Sequence, residues 1–222
     1  MIGLRRRLVK FIMKLNTIIV IRSKSCHVKT LHTMLRLNIF CLERGVQHEI
    51  SFVDDNAHAK NDIIKRKIKE CDKLFFIEFG IHVDEGSLLK IFDNYDCLVF
   101  PAASEGIDWT MFKTKVLNET DEPVEQLGLN FDTEIDQKIE DSIYKVVKTN
   151  PKSWVFKGPQ MHKALKNKKS PGITLPLKFD ELFDRLKSKG VKVYAYTGAK
   201  LTATYPHECL SNILEAAGVS LK

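Results

Sequence analysis

The feature that most constrains this chain is an unbroken β-branched run, Ile18-Ile19-Val20-Ile21. A strand with one wet face alternates apolar and polar residues. This one does not, so both of its faces must be covered. The segments that follow keep to that plan. Arg22-Ser23-Lys24-Ser25 reads as a polar turn. Val28, Leu31, Leu35, Ile39 and Leu42 then recur at helical spacing, and Gly45 stands at the C-terminal cap. Residues 49–53 read as a second strand, ending in Asp54-Asp55-Asn56. A charged helix carries Ile63, Ile64, Lys65, Arg66 and Ile68. Residues 74–77 form a third strand, ending in Glu78-Phe79-Gly80. Ser87 can cap a short helix over 88–92, and residues 97–100 make a fourth strand, stopped by Pro101.

Strand alternating with helix predicts one α/β domain: a mostly parallel, Rossmann-like central sheet flanked by helices. Right-handed crossovers place the carboxyl end of every such strand on one edge. Ligands bind open sheets at that edge. Arg22-Ser23, Asp54-Asp55 and Glu78-Phe79-Gly80 all fall there.

The second half is less regular. Residues 104–120 read as loop, with Asp108-Trp109 inside. Residues 127–133 predict a strand, and Ile135, Ile139, Ile143 and Val147 predict an amphipathic helix. Trp154-Val155-Phe156 reads as a strand, and 163–171 as a basic loop or helix end. Phe179, Leu182, Phe183 and Leu186 predict a helix ended by Gly190. Residues 191–196 are a last strand. Pro206 precedes a final helix with Leu210, Ile213, Leu214 and Ala217. No repeat or low-complexity linker divides the chain.

Charge narrows the function classes. The net charge is +7, but Arg5, Arg6, Arg7, Lys10 and Lys14 supply +5 of it without an acid among residues 1–16. That leaves +2 for the rest. The basicity therefore belongs to an N-terminal extension, 1–16, and the folded domain is 17–222. A basic tail gives non-specific nucleic-acid binding at most, and no specific nucleic-acid motif is present. Residues 2–15 can form a short amphipathic helix on an anionic membrane surface; a frayed tail is the simpler reading. The tail lacks an unbroken apolar core and a small-residue cleavage site, so it is not read as a secretory signal. The five cysteines, Cys26, Cys41, Cys71, Cys97 and Cys209, form no CxxC pair. They read as reduced, buried thiols of a cytoplasmic protein.

No GxGxxG follows the first strand, and GxxxxGK[ST], GxSxG and HExxH are all absent. Dinucleotide, P-loop, α/β-hydrolase and zincin chemistries are thereby set aside. The order that remains, strand–helix–strand with aspartates–helix–strand with an acidic end, resembles the nucleotide-binding half of GT-A glycosyltransferases. The segments 22–28, 76–84, 100–112, 128–135 and 205–208 resemble more closely the small glycosyltransferase domains of large DNA viruses, chloroviruses among them. Such a protein would work in the host cytoplasm.

The resemblance implies transfer of a sugar, rhamnose or a hexose, from a UDP-sugar donor to a growing glycan. It implies that Asp54 and Asp55 hold the nucleoside, and that Glu78, with the late His207, holds Mn²⁺ or Mg²⁺. Glu78-Phe79-Gly80 departs from the DxD of those enzymes and offers one carboxylate where two are usual. Metal-independent neutralisation of the diphosphate by Arg22, Lys24 or Lys200 is the alternative. Arg22, Ser23 and Arg66 join the nucleotide-binding candidates. The chemical step wants a carboxylate base; Asp132 is the first candidate and Asp108 the second, with Trp109 placed to stack on a sugar. A degenerate domain that binds nucleotide-sugar or glycan without turnover is the competing reading. A nucleotidyltransferase is disfavoured because no glycine follows the first strand.

Overall fold

The computed structural model describes residues 13–103, 107–119, 127–166, 172–199 and 202–203. Its centre is an eight-stranded sheet in the order β2-β1-β3-β8-β5-β9-β7-β6. The strands are β1 (Met13–Ile21), β2 (Val46–Asp54), β3 (Lys73–Ile77), β5 (Cys97–Val99), β6 (Thr133–Glu140), β7 (Ile143–Thr149), β8 (Ser153–Lys157) and β9 (Val193–Tyr196). A separate ribbon pairs β4 (Ile81–His82) with β10 (Thr202–Ala203).

Strand β1 pairs in parallel with β2 on one side and β3 on the other. The chain thus crosses from β1 to β2, then returns over β1 to β3. The two crossovers put their helices on opposite faces. Helix α1 (Val28–Glu43) packs on one face, with Met34, Leu37 and Cys41 against Leu15, Ile19 and Phe75. Helix α2 (Ala57–Lys67) packs on the other, with Ile63 and Ile64 against Ile18, Val20 and Phe76. That face is also covered by α5 (Gly158–Leu165) and α6 (Phe179–Ser188); the α1 face is completed by α3 (Glu85–Leu88). A further helix, α4 (Trp109–Leu117), buries none of its residues. The β-branched run is fully buried at Ile18, Ile19 and Val20, as a strand covered on both faces must be.

Six of the eight strands run in one direction, and β7 and β8 oppose them. Strand β8 enters between β3 and β5, antiparallel to both. Its Trp154 ring stacks on Phe76 of β3, with centroids 5.1 Å apart, in the α2-side core. Gly45 (φ 62) ends α1 and Gly190 (φ 81) ends α6, the left-handed conformation that favours glycine after a helix. No described helix is long and apolar enough to cross a membrane.

Several expectations are corrected. Strand β1 starts at Met13, and Met13–Asn16 pair with Val46–Glu49, so these four residues belong to the sheet and not to an extension. The helix expected through Ile135, Ile139, Ile143 and Val147 is a hairpin, β6–β7. A spacing of four fits both a helix and one face of a strand. The β-branched content and a turn at Ser142 (φ 58) decide for strands. Residues 127–132 form a turn and a single bridge, Phe131 to Ala103, in place of the expected strand. Asp84, not Ser87, caps α3, accepting from the Ser87 N–H at 3.1 Å. Helix α1 forms where its periodicity predicts, but Val28, Leu31, Leu35, Ile39 and Leu42 face outward. The expected final helix, 206–217, lies outside the described residues. The described cysteines are free thiols, three of them buried.

His48 of β2 makes a testable point about this packing. Its Nε2 accepts from the Thr17 hydroxyl (2.8 Å), and its Nδ1–H donates to Asn38 Oδ1 of α1 (3.2 Å). Both bonds suit a neutral ring, and burial pushes the imidazole down to about 4. The unfolded chain binds this proton near pH 6.5 and the folded one does not, so stability is full above pH 6.5 and falls as pH drops toward 4. The loss should be about 2 kcal/mol after allowing for partial exposure. Urea unfolding from pH 7 to pH 4 checks it, and a His48→Gln variant should show a flatter profile.

Candidate functional site

The carboxyl ends of β1, β2 and β3 converge where the strand order reverses, the position at which open α/β sheets bind ligands. Four charged side chains meet there. Arg22, after β1, donates from Nε to Asp55 Oδ2 at 2.8 Å. Lys60 Nζ lies 2.6 Å from Asp55 Oδ1 and 2.8 Å from Glu78 Oε1. The ammonium thus bridges the acid after β2 to the acid after β3. The Lys60 and Glu78 side chains are only 13% and 18% exposed, so the bridge is screened from bulk water.

Local structure explains the placement. Asn56 caps α2, accepting from the N–H groups of His58 and Ala59 at 2.9 and 3.2 Å. This cap starts the helix at the sheet edge and puts Lys60 in its first turn. Ser23 and Lys24 are both left-handed (φ 50 and 59), and Arg22 and Ser25 exchange backbone hydrogen bonds. The loop after β1 is therefore a two-residue hairpin turn. It aims Arg22 across Phe79, whose ring centroid lies 5.3 Å from the guanidinium carbon. Phe79 meets the His27 ring edge-on at 5.4 Å.

Electrostatics follow from the crowding. Burial raises the Glu78 carboxyl against the pull of Lys60. Burial would raise Asp55 too, but its bonds to Lys60 and Arg22 bring it below the usual range. Burial lowers Lys60, and the two carboxylates together more than reverse that.

Beside the bridge is a cavity of about 570 Å³, lined by Asp55, Lys60, Glu78, Asn150, Lys178 and Asp180 among others. Its size suits a small organic ligand. The segment leading into β8 supplies one wall through Asn150. Because β8 runs antiparallel, its amino end lies at the carboxyl edge of β3, and the Glu78 N–H donates to Lys152 O at 2.8 Å. Asn61 of α2 donates to Pro176 O at 2.9 Å and anchors the segment that brings Lys178, Phe179 and Asp180 to the other wall.

The structure brings Arg22, Asp55 and Glu78 together as the sequence predicts. Asp54 ends β2 as an exposed side chain beside them, and Ser23 sits at the exposed tip of the turn. Arg66 is not brought in. It lies in the last turn of α2, about 14 Å along the axis from Ala57 at the sheet edge. The helix contributes Lys60 instead, a residue sequence reasoning passed over. Its only local signal is its place in the first turn of a helix that begins at an acidic strand end.

Asp132 reaches the sheet edge, but its oxygens are occupied. Oδ1 accepts from the Ala102 N–H (3.1 Å) and the Thr133 hydroxyl (2.8 Å), and Oδ2 from the Lys152 N–H (3.1 Å). Burial raises its carboxyl against these donors. It clamps the end of β5 to the segments before β6 and β8. Asp108 caps α4, accepting from the Met111 N–H at 2.8 Å. Trp109 beside it is half exposed and meets Phe112 edge-on. His207 and Lys200 lie outside the described residues.

A divalent cation at Glu78 does not fit the described donors. The cation between the carboxylates is the Lys60 ammonium, and an ion placed there would have to displace it. Among the described residues no three His, Cys, Asp or Glu side chains converge on one point.

No protein-family model matches the sequence, and no curated protein is significantly similar to it. Solved structures align with most of its length at low identity. A197 from STIV matches at 13% identity over 87% of this chain and 86% of that one, with a TM-score of 0.49. A putative glucose-1-phosphate thymidylyltransferase from Bacillus anthracis, in complex with a sucrose, matches at 9% over 94% and 96%, with a TM-score of 0.46. GalNAc-T7, solved with UDP, GalNAc and Mn²⁺, matches at 11% over 87% of this chain and 44% of its own, with a TM-score of 0.43. These superpositions are too loose to assign a role to any residue.

Two substitutions test the site's architecture. Lys60→Met should cost about 2 kcal/mol in urea unfolding, because it leaves the largely covered Glu78 without its cation while Asp55 keeps only Arg22. Adding Glu78→Gln should recover a good part of that loss, giving a coupling of at least about 1 kcal/mol. Asp132→Ala should cost about 2–3 kcal/mol by leaving the Ala102 and Lys152 N–H groups unpaired, measured by the same method.

Proposed function

We propose that this protein is a nucleotide-sugar-dependent glycosyltransferase whose donor binds in the cavity beside the Lys60 bridge. The observation that carries the reading is the meeting of Arg22, Asp55, Lys60 and Glu78 at the strand-order reversal, against a cavity of about 570 Å³. Carboxylates there can accept from ribose or base, and cations there can meet a diphosphate. The donor class, a UDP-sugar, and the acceptor, a glycan hydroxyl, come from the sequence's resemblance to GT-A enzymes.

Lys60 and Arg22 supply positive charge at the place where the resemblance implied Mn²⁺ or Mg²⁺. When the diphosphate enters, both cations can turn from the carboxylates toward the leaving phosphate without a metal. Lys178, on the cavity wall, adds a third positive charge. For deprotonation of the acceptor we assign Asp180. It lines the cavity and carries no ion pair among the described residues, whereas Asp132 is saturated by donors and Asp108, the cap of α4, does not line the cavity. Asp180 does accept from the Glu181 N–H at 2.8 Å, which orients it and leaves its second oxygen for a proton. The compact turn after β1, with left-handed Ser23 and Lys24, supports this reading over nucleotidyl transfer, which wants a longer phosphate-cradling loop.

Isothermal calorimetry tests the donor site. UDP should bind, and its affinity should change less than about threefold between Mn²⁺ and EDTA. Lys60→Ala should weaken it about tenfold or more, the worth of one charge-assisted contact. Absence of heat with UDP under either condition refutes the donor site, and a strong Mn²⁺ requirement refutes the role of Lys60. For the chemical step, Asp180→Asn should keep UDP affinity while abolishing turnover of a UDP-sugar panel, read as released UDP.

A further inference from the structure

Helix α1 carries an apolar surface that the described residues leave exposed. Val28, Leu31, Leu35, Ile39 and Leu42 are 77%, 41%, 57%, 46% and 67% exposed. The helix buries its opposite side, Thr30, Thr33, Met34, Leu37 and Cys41. Exposed apolar residues scattered singly need no explanation, but five in one row do. At 100° per residue the five lie within about 80° of the helix circumference. That is the narrow seam of a helix made to pack on one other helix, and it is narrower than the face of a helix lying in a membrane surface.

The spacing of the row identifies the other helix. Measured from Leu35, the five residues stand at −7, −4, 0, +4 and +7. The row therefore reads the same in both directions. We propose that the occupant is a second copy of this chain, packed α1 against α1, antiparallel, about a two-fold axis at Leu35. Such an interface is isologous. Val28 meets the partner's Leu42, Leu31 meets the partner's Ile39, and Leu35 meets the partner's Leu35.

Charge agrees with this register. Glu43 is the one acid on α1, and it lies on the flank that carries Lys29 and Arg36. In the antiparallel pair, Glu43 comes beside the partner's Lys29 at each end of the seam. Arg36, nearest the axis, is already met by Glu85 at 3.6 Å. Antiparallel helices also set opposite macrodipole ends together. The neighbouring edge strand β2 extends the surface. His48 reaches α1, so the residues of its parity, Ile50 and Phe52, share that face, and they are 37% and 53% exposed. The candidate donor cavity opens beside α2 and α6, on the other face of the sheet, so both copies keep it open.

One helix of about 24 Å plus two strand residues is a small interface beside the roughly 800 Å² per partner of stable complexes. The dimer should accordingly dissociate in the micromolar range. Sedimentation velocity of the full chain from about 1 to 200 μM should show a concentration-dependent monomer–dimer equilibrium. Leu35→Glu puts two carboxylates at the axis and should weaken the dimer about a hundredfold or more; because Leu35 is exposed, the far-ultraviolet spectrum and Tm should stay unchanged. Lys29→Glu and Glu43→Lys should each weaken the dimer, and the two together should restore it. A wild-type monomer at every concentration overturns the proposal. So does a dimer indifferent to Leu35→Glu, or a double swap that fails to restore. A monomer that co-sediments with phosphatidylserine vesicles, and loses that with Leu35→Glu, would make the stripe a membrane face and overturn it as well.

Discussion

The pairing of β1 on both sides organises the molecule. A strand with Ile18, Ile19 and Val20 fully buried has no side on which water can serve its backbone. Its amide groups must be met by β2 and β3, and its two faces by helices. Once β2 and β3 take opposite sides of β1, the helices that lead to them are forced to opposite faces, and three polar strand ends are forced to one edge. The site is a by-product of satisfying that strand.

At the edge, the same need for partners recurs among side chains. Asp55 and Glu78 come close because their strands flank β1, and two carboxylates in a half-buried place require a cation. The fold provides one from the first turn of α2. Lys60 is therefore both a structural neutraliser of two acids and the charge that a bound diphosphate would meet. Asp132 shows the other outcome of the same rule. A buried carboxylate with three donors is held rather than poised, and it fixes the segments that form the cavity wall.

The two faces of the sheet have different finishes. On the α2 face, α2, α5 and α6 bury their apolar sides against one aromatic-rich core built around Trp154. On the α1 face, the core is closed by Thr30, Thr33, Met34, Leu37 and Cys41 of α1, and a second apolar row, Val28, Leu31, Leu35, Ile39 and Leu42, is turned outward. Periodicity alone cannot distinguish these cases. Both α1 rows recur at helical spacing, and which one faces the sheet depends on the space left between α1 and Leu15, Ile19 and Phe75.

The sequence by itself determined the four main strands and two long helices of the first hundred residues, the helix ends at Gly45 and Gly190, and the edge at which Arg22, Asp55 and Glu78 meet. These rest on local signals: side-chain period, cap residues and the fixed hand of crossovers. Only the tertiary structure decided that β8 enters antiparallel between β3 and β5, that 133–149 is a hairpin, and that α2 contributes Lys60 where Arg66 was expected. It also decided that Asp132 is a clamp and that the α1 stripe is outside. Apart from the hairpin, these turn on partners separated in the chain, as Lys60 is from Glu78 and Asp132 from Lys152. A spacing of four serves a strand as well as a helix, and a carboxylate looks the same in sequence whether its oxygens are free or taken. The distance between partners in space, which the chain order does not carry, made the difference.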